Sequence, residues 1–486
     1  MSILTPPSSP ALSSASDDFA LLLDSELAAE SADEGSEPAA NREEAEDLDD
    51  ENEERRKRLR LDSASNSSCP PHPGFMWGVC IRCGVLKPNS EPGGSASNVA
   101  LKYIHEEFEL AGDVLARVRE DELRQVLGKR KLFLVLDLDH TLLNSARWME
   151  VFPDETAYLE HTYMNVPEDK IPALSNGAPA VAGVIQPGGG GLHRIHGMQL
   201  WTKLRPFAHK FLEEASKLFE MYVYTMGERM YAVTMAHLLD PTGKFFKGRV
   251  ISQRDSTCRQ TKDLDIVLGA DSAVLILDDT EAVWPKHRAN LIVMERYHFF
   301  QSSCRQFGLE NPSLTKAERD ESKDEGALAN VLKVLQRIHS DFFMESDDSR
   351  YTCDVRDITS VVRSEILSGC KLVFSRIFPT DCLEPELTPL WRLCVDLGAE
   401  CVLAHDDSVT HVVALDRFTD KAKWAKEHRK FLVHPAWVEA AHSLWRRPNE
   451  LEFPVREGQT RAPVFTFAKT VNVEVERNRE EKDQTN

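Results

Sequence analysis

Residues 131–145 read KLFLVLDLDHTLLNS. Leu132 to Leu136 form an unbroken apolar run, so neither face of the strand they form can meet water, and it must sit in a sheet covered on both sides. The run ends on two carboxylates, Asp137 and Asp139, with Thr141 close behind. Buried along its length and acidic at its tip, such a strand holds chemistry at a sheet edge.

The pattern continues. RPFAHKFLEEASKLFE (205–220) predicts a helix with Phe207, Phe211, Ala215, Leu218 and Phe219 on one face and Pro206 in its first turn. Strand MYVYT, helix RMYAVTMAHLL and strands AVLILDD and NLIVM follow. Alternation of helices with fully apolar strands predicts an α/β unit over 98–312, a mostly parallel sheet with helices on both faces. Residues 146–200 read as an irregular insert ending in PGGGGLH, with Gly188 to Gly191 as a flexible turn or linker. Residues 313–364 read as a polar linker and a helix, GALANVLKVLQRIHSDFF. A smaller α/β unit spans 365–455, from strand KLVFSR to helix AWVEAAHSLW, and 456–486 reads as a loose polar tail.

Charge separates a further region. The first 54 residues carry 17 acidic side chains and one arginine, most of the net charge of −21. Residues 1–66 cannot bury enough apolar area to offset chain entropy, so an acidic, disordered tail is expected. Within it DDFALLLDSEL (17–27) could dock as a helix on a partner, and the basic run ERRKRLRL suits nuclear import. The remainder is only mildly acidic, which argues against direct nucleic-acid binding. No run of about 18 apolar residues occurs, so no membrane association is expected. Ten scattered cysteines suit a reducing, intracellular compartment.

In open parallel sheets, function gathers at the carboxyl ends of the strands. Asp137 and Asp139, Thr225, and Asp278 with Asp279 all fall there, and Lys262 lies in a polar loop before the last pair. Helix caps or turns would account for each singly but not for the set. The set suits phosphoryl transfer. Asp137 can attack phosphorus and form an aspartyl phosphate, yet a carboxylate meeting a phosphate is repelled by about 4 kcal/mol per charge pair at about 4 Å. A cation must offset this; Asp137, Asp278 and Asp279 offer hard oxygens suited to Mg²⁺. Thr225 and Lys262 can hold the other phosphate oxygens, leaving Asp139 for proton transfer.

LVLDLDHTLL, YTMGER, LLDPTGKFF, RVIS, LILDDTEAVW and ERYHFF resemble the haloacid-dehalogenase-type phosphatases of the RNA polymerase II C-terminal domain, closest to the plant C-terminal-domain phosphatase-like proteins. The resemblance implies a haloacid-dehalogenase-like fold and a nuclear, Mg²⁺-dependent phosphoserine phosphatase that acts on the polymerase heptad repeats and regulates transcription. It implies Asp137 as nucleophile, Asp139 as acid/base, and Asp137, Asp278, Asp279 and the Asp139 carbonyl as metal ligands. Thr141 is placed on the substrate side. Relatives carry Ser-Arg-Asp after RVI; this chain reads Ser252-Gln253-Arg254-Asp255, so Arg254 or Arg259 is expected to supply the substrate arginine. The Gly-rich insert is expected over the active site.

The C-terminal unit resembles a BRCT domain, with THVV in mid-domain and Trp437 as a core aromatic of the last helix. Phosphopeptide-binding BRCT domains carry Ser or Thr after the first strand, which Ser375 matches, and a basic residue just after THVV, near which Leu415 stands. General transcription factors are further candidate partners. Residues 67–97 contain Cys69, His72, Cys80 and Cys83, two pairs at two-residue spacing that would make a closed zinc knuckle or remain free thiols beside a surface histidine.

Two rivals differ in kind. A response-regulator-like phosphoryl switch places its acidic pair before the phosphorylated Asp and lacks an acid two residues on. A catalytically weak scaffold, binding transcription factors through the BRCT unit and the acidic tail, would not need the complete motif set.

Overall fold

The computed structural model describes residues 69, 71–87, 98–164, 185–309, 312–344, 353–379, 382–456 and 470–472. The acidic tail, its import-like run, the 17–27 segment and most of 456–486 lie outside them.

Five strands form the central sheet: β1 (Leu132–Leu136), β2 (Phe219–Tyr224), β3 (Val250–Ile251), β4 (Val274–Asp278) and β5 (Leu291–Val293). Their order is β3-β2-β1-β4-β5, every neighbouring pair parallel. Every residue of β1, β2 and β4 is buried, as the apolar runs require of a sheet covered on both faces. The first strand is central, so Asp137 emerges mid-sheet, where the strand order reverses and α/β sheets open a crevice. Among the described residues no helix is long and apolar enough to cross a membrane.

The 205–220 helix is shorter than its periodicity predicts. It runs Ala208–Ser216, Pro206 stands in the turn before it, and Phe219 opens β2 instead. Phe207 caps it at φ +74°, and Arg205 is withdrawn into the interior.

The described part of the insert is regular rather than irregular. Strands Leu143–Arg147, Leu200–Leu204, Leu192–Ile195 and Ile185–Pro187 form an antiparallel sheet in that order, beside helix Pro153–Met164. The glycines form a tight turn rather than a linker: Gly190 and Gly191 adopt φ of +61° and +73°, and a Cβ on Gly188 would lie 2.1 Å from the Tyr163 ring.

In 313–364, read as a polar linker and a helix, the helix is present and the described part of the polar stretch packs into the interior. Ser313, Thr315 and Glu321 are buried. Helix Ala327–Phe342 buries Leu328, Val331, Leu332, Leu335, Ile338 and Phe342, packing between helices Ala208–Ser216 and Val355–Ser364. One apolar core therefore runs from Leu101 through the central sheet to Phe453.

The C-terminal unit has four parallel strands, β6 (Lys371–Ser375), β7 (Glu400–Val402), β8 (His411–Ala414) and β9 (Phe431–Val433), ordered β7-β6-β8-β9. Trp437 is fully buried, donates to the Pro448 carbonyl at 3.0 Å and stacks on His411, a core role. Ser375 is buried at the end of β6 and donates to Thr419 Oγ1 at 2.8 Å.

Candidate active site

The carboxyl edge of the central sheet opens a cleft of about 910 Å³, with Asp137, Asp139, Thr225, Lys262, Asp278 and Asp279 in its wall. They arrive from four separate chain segments, Asp137 with Asp139, Thr225, Lys262, and Asp278 with Asp279. The Asp137 amide donates to the Leu277 carbonyl at 3.0 Å, tying the tip of β1 to β4. His140 then takes φ +62°, and the Leu142 amide donates back to the Leu138 carbonyl at 2.9 Å, so the chain doubles back directly beyond Asp139. Leu138 and Leu142, both fully buried, anchor that turn.

Lys262 bridges the acids. Its Nζ donates to Asp137 Oδ1 and Asp278 Oδ2, each at 2.6 Å, and the side chain is 2% exposed. Asp278 also accepts from Trp284 Nε1 at 2.9 Å and from the Thr280 amide at 2.8 Å, which fixes its carboxylate plane. Asp279 accepts from Arg296 Nε and Thr280 Oγ1. The Thr225 Oγ1 accepts from the Gly227 amide at 3.0 Å, and its hydroxyl hydrogen remains available to a ligand.

Asp139 accepts from the Tyr231 hydroxyl at 2.5 Å. Burial raises its carboxyl above the ordinary range, and the Tyr231 hydrogen bond opposes the rise. Asp137 is raised by burial, with Lys262 acting against it and Asp278 and Asp279 reinforcing it. Burial would discharge Lys262, but the two carboxylates outweigh burial and hold it as an ammonium. Asp137 and Asp278 thus share Lys262, and Asp279 pairs with Arg296, so the floor of the cleft is rich in carboxylate oxygens. Oxygens of Asp137, Asp278 and Asp279 lie within 4.8 Å of one another, a hard-oxygen set that fits Mg²⁺.

Beneath this floor lies an arginine that sequence reasoning missed. Arg205 is 1% exposed and donates to Glu321 through Nε (3.0 Å) and Nη2 (2.8 Å). Its Nη1 donates to the carbonyls of His140, Thr141 and Glu295 at 3.3, 3.1 and 2.8 Å. It therefore clamps the turn after Asp139 to the strand exit before Arg296. Asn144 adds a second tie, accepting from the Phe299 and Phe300 amides at 2.9 and 3.0 Å.

Three expected substrate contacts fall elsewhere. Thr141 is fully buried and lies outside the cleft wall, because its backbone is drawn down to Arg205. Arg254 points to the surface and pairs with Glu106, while Asp255 folds back on the Ser252 amide at 2.8 Å and hydroxyl at 2.6 Å and turns the loop away. Arg259 does not line the cleft either. Arg305 does, stacked 3.9 Å above the Phe152 ring, and Arg296 stands at Asp279. Arg296 lies in ERYHFF, so the motif carried the signal; nothing local marks Arg305.

Comparison with known proteins agrees with this geometry. The family described as "NLI interacting factor-like phosphatase" matches residues 132–311, and a twin BRCT family matches 375–437. RNA polymerase II C-terminal domain phosphatase-like 4 of Arabidopsis thaliana is 47% identical over 450 residues, 92% of this chain and 96% of that protein. An RNA polymerase II C-terminal domain phosphatase of Caenorhabditis elegans is 28% identical across 82% of this chain and 57% of its own length. Among solved structures, Fcp1, "an essential RNA polymerase II CTD phosphatase", superposes with a TM-score of 0.51 at 23% identity, over 70% of this chain and all of that one. With 47% identity over nearly the whole length of one such protein and a matching phosphatase family model, the chain belongs to the RNA polymerase II C-terminal-domain phosphatase-like family of protein phosphatases and carries a C-terminal BRCT domain.

Proposed function

We propose that this chain hydrolyses phosphoserine in the heptad repeats of the RNA polymerase II C-terminal domain, in the nucleus, through an aspartyl phosphate on Asp137. The observation that carries the reading is the meeting of Asp137, Lys262, Asp278 and Asp279 in one buried cluster from three separate chain segments. Asp137 attacks phosphorus; the seryl oxygen leaves with a proton from Asp139. Asp139, raised by burial, is suited to hold that proton, and Tyr231 keeps its carboxyl aimed into the cleft. In the second half-reaction Asp139 takes a proton from water, which attacks the acyl phosphate and frees Asp137. Lys262 and Thr225 hold the phosphoryl oxygens. Asp137, Asp278, Asp279 and the Asp139 carbonyl would hold Mg²⁺, which supplies charge neutralisation at the phosphoryl group. Arg305, in the cleft wall, is the guanidinium proposed to meet the rest of a phosphopeptide, and Arg296 holds Asp279 in place. General transcription factors are proposed as further partners of the BRCT domain and acidic tail.

The test is phosphate release from heptad peptides singly phosphorylated at each serine, with Mg²⁺, by the full chain. Turnover that disappears in Asp137→Asn and on removal of Mg²⁺ is expected. Turnover that survives Asp137→Asn overturns the assignment.

A further inference from the structure

A second cluster lies apart from the carboxylates. One ligand atom from each of Cys69, His72, Cys80 and Cys83 falls within 4.8 Å of all the others. All three sulfurs are free thiols. His72 Nδ1 stands 3.5 Å from Cys83 Sγ; a tetrahedral site with metal–sulfur and metal–nitrogen bonds of about 2.3 and 2.0–2.1 Å has a sulfur–nitrogen edge of about 3.6 Å. The backbone is shaped to bring the pairs together. Trp77 and Gly78 turn at φ +53° and +72° between strands Gly74–Met76 and Val79–Cys80. Gly84, at φ +72°, donates its amide to the Cys80 carbonyl at 3.0 Å and curls the second pair. Three soft thiolates and one imidazole with no open position select a Zn²⁺-type ion over the hard ions that suit the cleft.

Its place in the fold gives it a task. Strand Gly74–Met76 pairs with Phe108–Leu110, which pairs in turn with Val99–Ala100. That edge packs against Leu264–Ile266, two residues past Lys262. From the following helix, Gly112–Gly128, Arg119 donates to the carbonyls of Leu264 (2.9 Å), Asp265 (2.5 Å) and Val267 (3.0 Å). The sheet's strands are two or three residues long, too short to hold together by themselves. We propose that Cys69, His72, Cys80 and Cys83 form a structural Zn²⁺ site that staples this sheet and so braces the loop presenting Lys262. The site is independent of the phosphatase reading, since neither its ligands nor its ion take part in the chemistry of the cleft.

The experiment is metal analysis of the full chain purified without chelator, with release by a thiol-modifying mercurial followed by a chromogenic zinc indicator. One zinc per chain is expected, retained in Asp278→Asn/Asp279→Asn and absent from Cys80→Ser/Cys83→Ser. Because the cysteine variant can fail to fold, wild-type protein reconstituted with Co²⁺ provides a second reading: the strong visible bands of tetrahedral thiolate cobalt are expected. Hydrogen exchange at 99–110 and 262–267 should quicken when the metal is withdrawn. Wild-type chain that binds no zinc and gives only octahedral cobalt spectra overturns the proposal, as does full zinc occupancy in the folded cysteine double variant.

Discussion

Replacing Arg205 by methionine keeps volume and removes charge, and its consequences can be worked out contact by contact. The guanidinium and Glu321 are 0% and 1% exposed. Removing one partner strands the other in a dry interior, at about 3–5 kcal/mol. Arg205→Met also leaves the carbonyls of His140, Thr141 and Glu295 without this donor, at about 1 kcal/mol each. The single variant should lose about 6–8 kcal/mol in urea unfolding. Glu321→Leu should lose about 3–5 kcal/mol, since the arginine then lacks its counter-ion. The double variant removes both charges and should recover at least about 2 kcal/mol relative to the sum of the singles. Activity should not recover with it, because the turn that aims Asp139 still lacks its clamp. Peptide dephosphorylation in the double variant should stay at least about 10-fold below wild type at equal folded fraction. Additive stabilities, or wild-type turnover in the double variant, would refute the reasoning.

Other perturbations reach separate parts of the account. Tyr231→Phe removes the hydroxyl donor to Asp139 and should lower kcat about 10-fold with little change in KM, the signature of a group that orients the proton-transfer residue. Burial would raise Glu220, but Arg249 at 2.7 Å and Lys131 at 3.0 Å hold it down at about 2, against an ordinary 4.5. A depressed folded value gives stabilisation that is complete above the unfolded value and lost as pH falls through the folded one. Wild type should therefore exceed Glu220→Gln by on the order of 3 kcal/mol at neutral pH, with the gap closing between about pH 4.5 and 2 in acid unfolding curves. Gly188→Ala drives a Cβ into the Tyr163 ring and the Leu192 carbonyl, and should cost about 2 kcal/mol by chemical denaturation.

The parts of this fold legible in sequence are those with a local cause. β1, β2 and β4 announced themselves because a strand buried on both faces must be apolar throughout, and Asp137, Thr225, Asp278 and Asp279 were visible because they terminate such strands. The antiparallel insert was not legible: its strands are three to five residues long and mix Arg194, His193 and Lys203 with apolar positions, so neither period stands out. Arg205 and Glu321 lie 116 positions apart and look like ordinary surface charges until the chain brings them together. Arg254 misled for the opposite reason. It sits near the expected position in sequence, but the Asp255 turn points its side chain outward. Motif order thus located the acidic cluster and Lys262, whereas the support beneath them and Arg305 in the cleft wall depend on long-range packing.

The most direct test of the central claim is to mix the full chain with a heptad peptide bearing labelled phosphate, quench in acid within one turnover, and map the label. A hydroxylamine-labile acyl phosphate is expected on the fragment containing Asp137, absent in Asp137→Asn and longer-lived in Asp139→Asn. Turnover without any label on the protein, or label on a different residue, would contradict it.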